Sequence, residues 1–298
     1  MNKENLYIVG NGFDIYHGIK SRFSDFKNYL LSTNPSLYKL VKEYVLVGEN
    51  WSDLEQALGD LDGETILDHA SLFLESYSAD DWHDRYNHDY QYEIDKIVEG
   101  LSANLKTRFT EWVAQIYIPK LVEAKGQPLS INRNAKYFSF NYTSTLSMIY
   151  QVPKNNILFI HGEAGNPNQE IVLGHTWKPS ISQKDNFADA DMDPRIIEGN
   201  EIINGYFKST FKNVESIIKA NQPFFASLHG VTNIYVLGHS LSPVDIDYFK
   251  EIIKNIDINR VHWKISFFGN DELDRHRATI AELGVNECNV VFCELKRF

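Results

Sequence analysis

Four places in this sequence set glycine or polar residues at the end of an apolar run, and there chemistry would be done. The stretch "YIVGNGFDIYHGI" carries a β-branched run into Gly10-Asn11-Gly12, then Phe13 and Asp14, with His17 a little further on. Glycines let a backbone approach a pyrophosphate, and helix N-terminal N–H groups favour anions, so the turn is a candidate phosphate cradle. The plainer reading is a strand-turn-helix with no ligand, in which Asp14 and His17 sit in the first helical turn and cap it. In "FSFNYTSTL", Asn141 ends a strand and offers an amide that both donates and accepts. In "ILFIHGEAG", His161 and Gly162 end the next strand; an imidazole titrates near neutrality and suits a general base. In "VLGHSLSPVDIDYF", Gly238, His239 and Ser240 follow a further strand, with Ser242 as a helix cap and Pro243 in the first turn.

Several familiar chemistries fail on spacing. In a G-x-G-x-x-G fingerprint the third glycine would fall at Ile15, and no second strand supplies an acid for the ribose, which disfavours a hydride-transferring dehydrogenase. A nucleophile elbow on Ser240 needs glycine where Ser242 stands. The two cysteines, Cys288 and Cys293, form neither a disulfide framework nor a zinc module and read as small apolar strand residues. His83 and His88, amid scattered acids, read as a solvated helix face. A formal net charge of −11 without a basic stripe disfavours nucleic-acid binding. No signal-length or membrane-spanning apolar run occurs, so a cytoplasmic protein is expected.

The elements that must position these residues are legible as a rhythm. Strands are expected at 6–9, 136–142, 157–162, 233–240, 262–269 and 289–295, with a weaker one at 170–175. Most are followed by amphipathic patterns, as parallel strands covered on both faces require. The expected fold is therefore α/β, a Rossmann-like parallel sheet of about six strands. Between residues 24 and 129 only helical patterns appear. There Leu101, Leu105, Phe109, Trp112 and Ile116 repeat at helical spacing up to Pro119, an end signal. This reads as a large all-helical insertion (24–129) after the first strand-helix unit of a core made of 1–23 and 130–298. The polar segment 163–205 reads as a long loop over the sheet's edge.

Taken together, "YIVGNGFDIYHGI", "WSDLE", "FSFNYTSTL", "FIHGE", "LGHTW" and "VLGHSLSPVDIDYF" resemble the bacterial abortive-infection AbiH family across nearly the whole chain. The same order of words resembles, more distantly, a sirtuin-like NAD-binding core. The correspondences fall on Gly10–Asp14, Asn141–Thr143, His161–Gly162 and Gly238–Ser242. This resemblance implies a phage-defence effector that hydrolyses NAD⁺ at the nicotinamide–ribose bond, with His161 and Asn141 catalytic. Gly10, Asn11, Gly12, Phe13, Asp14 and His17 would hold the diphosphate side and Gly238, His239 and Ser240 the adenosine side. It implies no cofactor beyond NAD⁺ and no zinc module, and a homo-oligomer or defence-system partner; assembly or movement of the helical insertion would hold the effector off in healthy cells. Thr143 stands where the resembling motif has an acid, so the carboxylate would come from Asp14, Glu55 or Asp245. His175 in "LGHTW" is a further candidate for the same crevice. Two alternatives stay open: an NAD⁺ or ADP-ribose sensor without turnover, and a nuclease, the latter lacking any metal-ligating carboxylate cluster.

Overall fold

The computed structural model describes residues 4–74, 86–177 and 193–298. His83 and most of the polar stretch after Trp177 lie outside the described residues. The chain forms two compact units, one of residues 1–22, 112–172 and 213–298, the other of residues 23–111 and 173–212. Residues 173–212 thus group with the helical unit, where the expected boundary put them with the sheet.

The first unit holds a six-stranded sheet with every pairing parallel. Its strands are β1 (Glu4–Val9), β2 (Lys136–Ser139), β3 (Ile157–Phe159), β4 (Val231–Leu237), β5 (His262–Phe267) and β6 (Val290–Glu294). Their order, β3-β2-β1-β4-β5-β6, is that of a Rossmann-like sheet. All six expected strands are present, several ending earlier than their apolar runs. The weak candidate at 170–175 is not a strand; His175 there makes a single bridge to Phe211. Cys293 lies on β6, whereas Cys288 is exposed in the turn before it, and both are free.

Alternation sorts the strand side chains onto two faces, and each face builds its own core. Leu6, Ile8, Phe138, Ile234, Val236 and Ile265 pack on one side with Tyr248, Phe249 and Ile252 of the helix Ile246–Lys254. Tyr7, Val9, Tyr137 and Leu237 pack on the other with Phe13, Leu146 and Ile149. On that second face Tyr137, Tyr7 and Tyr235 stand in register on β2, β1 and β4, their rings stacked at 4.9 and 4.8 Å. Such a cross-strand ladder pins the register, because a one-residue slip would turn every side chain to the other face.

The described part of the second unit is helical. Phe23–Thr33, Pro35–Tyr44, Gly63–Ala70 and Tyr86–Glu99 are joined by the helix Pro194–Ser209. Phe26, buried among them, meets Trp51 and Phe109 edge-on at 6.2 and 5.1 Å. The long helix from Tyr86 turns through a wider π-type segment at Gly100–Asn104 and ends at Ala114, five residues before Pro119. Beyond it Ile116 and Ile118, partly buried, pack against the core of the first unit. The loop expected over 163–205 is interrupted by Pro194–Ser209. Asp193 caps that helix through the Arg195 N–H, and Pro194 fills its first turn, a start signal the polar run before it masks.

Candidate functional site

In a parallel sheet every strand ends at the same edge, and the residues just beyond the carboxyl ends of β1 to β4 carry the polar groups. They form two buried clusters, each within the first unit.

The first cluster gathers around Asp14. The helix Asn11–Tyr16 is short, so Asp14 lies inside it, and His17 follows it as the C-terminal cap; neither caps the N-terminus. Asp14 is 1% exposed, and its Oδ2 accepts a hydrogen bond from the Thr143 hydroxyl. Thr145 Oγ1 stands 3.0 Å from Thr143 Oγ1 and extends the chain. Burial pushes the Asp14 carboxyl up to about 6, although the Thr143, Thr145 and Asn141 side chains work against that rise. Asn141 is also buried. Its amide Nδ2 and the Asp14 Oδ1 are both buried without a well-formed hydrogen bond. The Asn141 side chain is near enough to Asp14 to favour its anion, so one unsatisfied donor and one unsatisfied acceptor belong to the same cluster. Thr143, the position where a carboxylate was missing, is thus bonded to one brought from the first helix.

The second cluster lies among Phe140, Tyr248 and Phe249. Asp245, in the turn Pro243–Asp245, lies between two histidines, with His161 Nε2 at 3.7 Å from Oδ1 and His239 Nε2 at 3.4 Å from Oδ2. All three are 6% exposed or less. Phe140 stands against both rings, 4.2 Å from that of His239 and 5.4 Å from that of His161. The expected pair is therefore divided, Asn141 belonging to the Asp14 cluster and His161 to the Asp245 cluster. After His161, Gly162 turns at φ 89, and the buried Glu163 accepts from the Ser144 hydroxyl at 2.7 Å and the Lys154 ammonium at 2.8 Å, which fastens the loop.

The two glycine turns pack on each other. Gly10 N–H donates to Leu237 O at 3.0 Å, Gly12 N–H to Gly238 O at 2.7 Å, and Phe13 N–H to Gly10 O at 3.0 Å. A Cβ at Gly10 would come within 2.6 Å of His239 Cα, and one at Gly12 within 2.8 Å of Gly238 Cα. These glycines answer to the chain's own backbone, and three of the turn's N–H groups are bonded within the protein. The Asn11 amide donates to Ser21 O at 2.9 Å and its oxygen accepts from the Ser21 hydroxyl. His17 is likewise engaged. Leu129 N–H donates to the Tyr150 oxygen, the Tyr150 hydroxyl is hydrogen-bonded to His17 Nε2 at 2.9 Å, and burial lowers the pKa of His17. Gly238 has φ 62 and Leu241 φ 52, a left-handed conformation that costs a branched residue about 1 kcal/mol or more. Ser240 between them is exposed.

One histidine escapes the sequence reading. His276, within "DRHRAT", was covered by its charged neighbours, yet its spacing from Ile280 marks the inner face of the helix Asn270–Glu282. It is fully buried, and burial, followed by the charge of His239, lowers its pKa to about 4. The other candidates lie in the second unit. Glu55 pairs with the buried Lys212 at 3.6 Å, and His175 is buried near the Phe207 and Phe211 rings. His88 is exposed on its helix. Among the described residues no three His, Cys, Asp or Glu side chains converge as metal ligands do, and no helix is long and apolar enough to cross a membrane.

A search of curated proteins finds no match to this chain. The family model described as bacteriophage abortive infection AbiH matches residues 6–267, a span that runs from β1 to the end of β5 and takes in both buried clusters. The chain belongs to the AbiH family.

Proposed function

We propose that this protein acts in abortive infection by hydrolysing NAD⁺ at the nicotinamide–ribose bond. The observation that carries the reading is the Asp14–Thr143–Asn141 cluster. It gathers an unsatisfied amide donor and an unsatisfied carboxyl oxygen in one buried cluster at the edge where a Rossmann-like sheet takes its ligand, one strand from His161. A ribose hydroxyl, both donor and acceptor, meets those two atoms. In the reaction a water oxygen attacks the ribose anomeric carbon as the C–N bond to nicotinamide breaks. The bonding pair returns to the ring nitrogen and neutralises its charge, so no acid is needed for the leaving group. His161 takes the water's proton, and the products are ADP-ribose, nicotinamide and a proton. Asn141 orients the ribose. The dinucleotide runs along the edge from Gly10–Asp14 toward Gly238–Ser240. Because the Gly10, Gly12 and Phe13 amides are bonded within the chain, its phosphates take their donors from groups such as the exposed Ser240 hydroxyl.

The burial of Asp14, Asn141, His161 and His239 favours a second reading, a nucleotide sensor that closes around NAD⁺ or ADP-ribose without turnover. One experiment separates the two. Purified protein is incubated with NAD⁺ and free nicotinamide is followed by chromatography, with His161→Ala in parallel. Release by the wild type, falling roughly 10²- to 10⁴-fold in the variant, supports hydrolysis with His161 as base. No release, with ADP-ribose still raising the melting temperature by linkage, supports the sensor. Neither release nor stabilisation refutes both.

A further inference from the structure

The second cluster holds one carboxylate and two imidazoles, and the backbone decides what each can do. Leu241 N–H donates to His239 Nδ1 at 2.9 Å. That nitrogen is therefore the acceptor of the ring, and neutral His239 carries its proton on Nε2. The Nε2–H faces Asp245 Oδ2 at 3.4 Å, while Asp245 Oδ1 faces His161 Nε2 at 3.7 Å. Leu241 reaches His239 only through its left-handed backbone, φ 52, which follows the left-handed Gly238. Gly238 N–H is in turn held by the Ser266 hydroxyl at 2.7 Å, so the strained loop is anchored to β5. Strain retained at a strand end next to a buried polar pair needs a return elsewhere, and fixing one tautomer provides it.

We propose that Asp245 and His239 are positioning residues for His161: the Leu241 amide fixes His239 with its proton on Nε2, His239 holds one oxygen of Asp245, and the other oxygen sets the orientation of the His161 ring. The proposal deepens the reading of His161 as the base and rests on it for the kinetic part of its test. It assigns His239 to the carboxylate instead of to the nucleotide. Phe140, Tyr142 and Tyr248 stand against the ring of His161, and Phe140 and Phe249 against that of His239. Beyond His239 lies His276, whose ring interacts with the Ser240 backbone and has Glu272 at 3.9 Å. Glu163, two residues after His161, is occupied by Lys154 and Ser144.

The test has two arms on the full chain. In the first, histidine-labelled wild-type protein is examined by two-bond proton–nitrogen NMR at neutral pH, with His239→Gln and Asp245→Asn used for assignment. His239 is expected as the Nε2–H tautomer, and Asp245→Asn is expected to move the His161 ring resonances. An Nδ1–H tautomer at His239, or His161 resonances unmoved by Asp245→Asn, overturns the proposal whatever the enzyme does. In the second arm, nicotinamide release is followed across pH. Asp245→Asn and His239→Phe are expected to lower kcat by roughly 10- to 100-fold with KM changed little, and to alter the pH profile. His239→Gln, which keeps a donor near the Nε2 position, is expected to recover most of that loss. Equal kcat and an unchanged profile in His239→Phe overturn the proposal. A wild type that releases no nicotinamide removes the hydrolase reading instead, and the NMR arm then decides the positioning alone.

Discussion

Asp14 gives the sharpest test of the site's electrostatics. Its carboxyl is buried and its pKa raised from 3.8 to about 6, chiefly by desolvation. Between those values the folded state binds a proton that the unfolded state releases. Stability contributed by this group is therefore fully present below about pH 3.8 and lost as pH rises through about 6. A shift of about two units, at about 1.4 kcal/mol each, makes the ionised form about 3 kcal/mol less stable in the fold than the neutral one. The raw stability profile will not show this cleanly, because His276, with its pKa lowered to about 4, acts with the opposite sign over the same range. A group held neutral in the fold but protonated in the unfolded chain makes stability rise with pH. The measurement is therefore a difference. Urea unfolding of the wild type and of Asp14→Asn is compared from pH 4 to pH 8. Asn keeps an acceptor for the Thr143 hydroxyl but does not titrate. The wild-type free energy minus that of the variant should fall by about 2.4 kcal/mol between pH 4 and pH 7, the rest of the effect lying below pH 4, and then level off. Carbon-detected NMR of the Asp14 carboxyl should show the same midpoint near 6. A flat difference would refute the reasoning. A difference rising with pH would show that Thr143, Thr145 and Asn141 stabilise the anion by more than burial costs.

Three further outcomes follow from the packing. Gly10 has an extended backbone (φ −119), so only the close approach of His239 and Gly238 requires glycine there. Gly10→Ala should cost roughly 1–3 kcal/mol by thermal melting, and a loss within experimental error would mean the two turns separate easily. Gly205, exposed inside the helix Pro194–Ser209 with nothing near its missing Cβ, is the contrast; Gly205→Ala should stabilise the protein by roughly 0.5–1 kcal/mol. Lys212 has a fully buried side chain paired with Glu55 at 3.6 Å. Lys212→Met should cost roughly 3–5 kcal/mol, and Lys212→Met with Glu55→Gln should recover part of it; a double variant no better than the single one would show that the pair is not what holds Lys212 there.

The sequence by itself determined the sheet. Six apolar runs, each with turn residues after it, declare parallel strands whose ends share one edge, because strand periodicity and glycine punctuation are local properties. It also determined which residue types stand at that edge: Asn141, His161, His239 and the two glycine turns. It missed the helix Pro194–Ser209, whose start is a cap of two residues after a long polar run, and His276, whose burial depends on the face its helix turns inward. What the residues do there was decided by the tertiary structure. The glycines of "GNGFD" read as a phosphate cradle, yet the space beside them is filled by Gly238 and His239, more than two hundred residues away. Thr143 read as a missing acid until folding brought Asp14 to it across 129 residues. His239 reads as a nucleotide contact from its segment alone; the fold sets its Nε2 3.4 Å from Asp245 and its Nδ1 on the Leu241 amide. Local propensity fixes where a strand ends and which side chains leave it. Which of those side chains then meet is set by strand order and by the packing of two faces, and neither is written in any one segment.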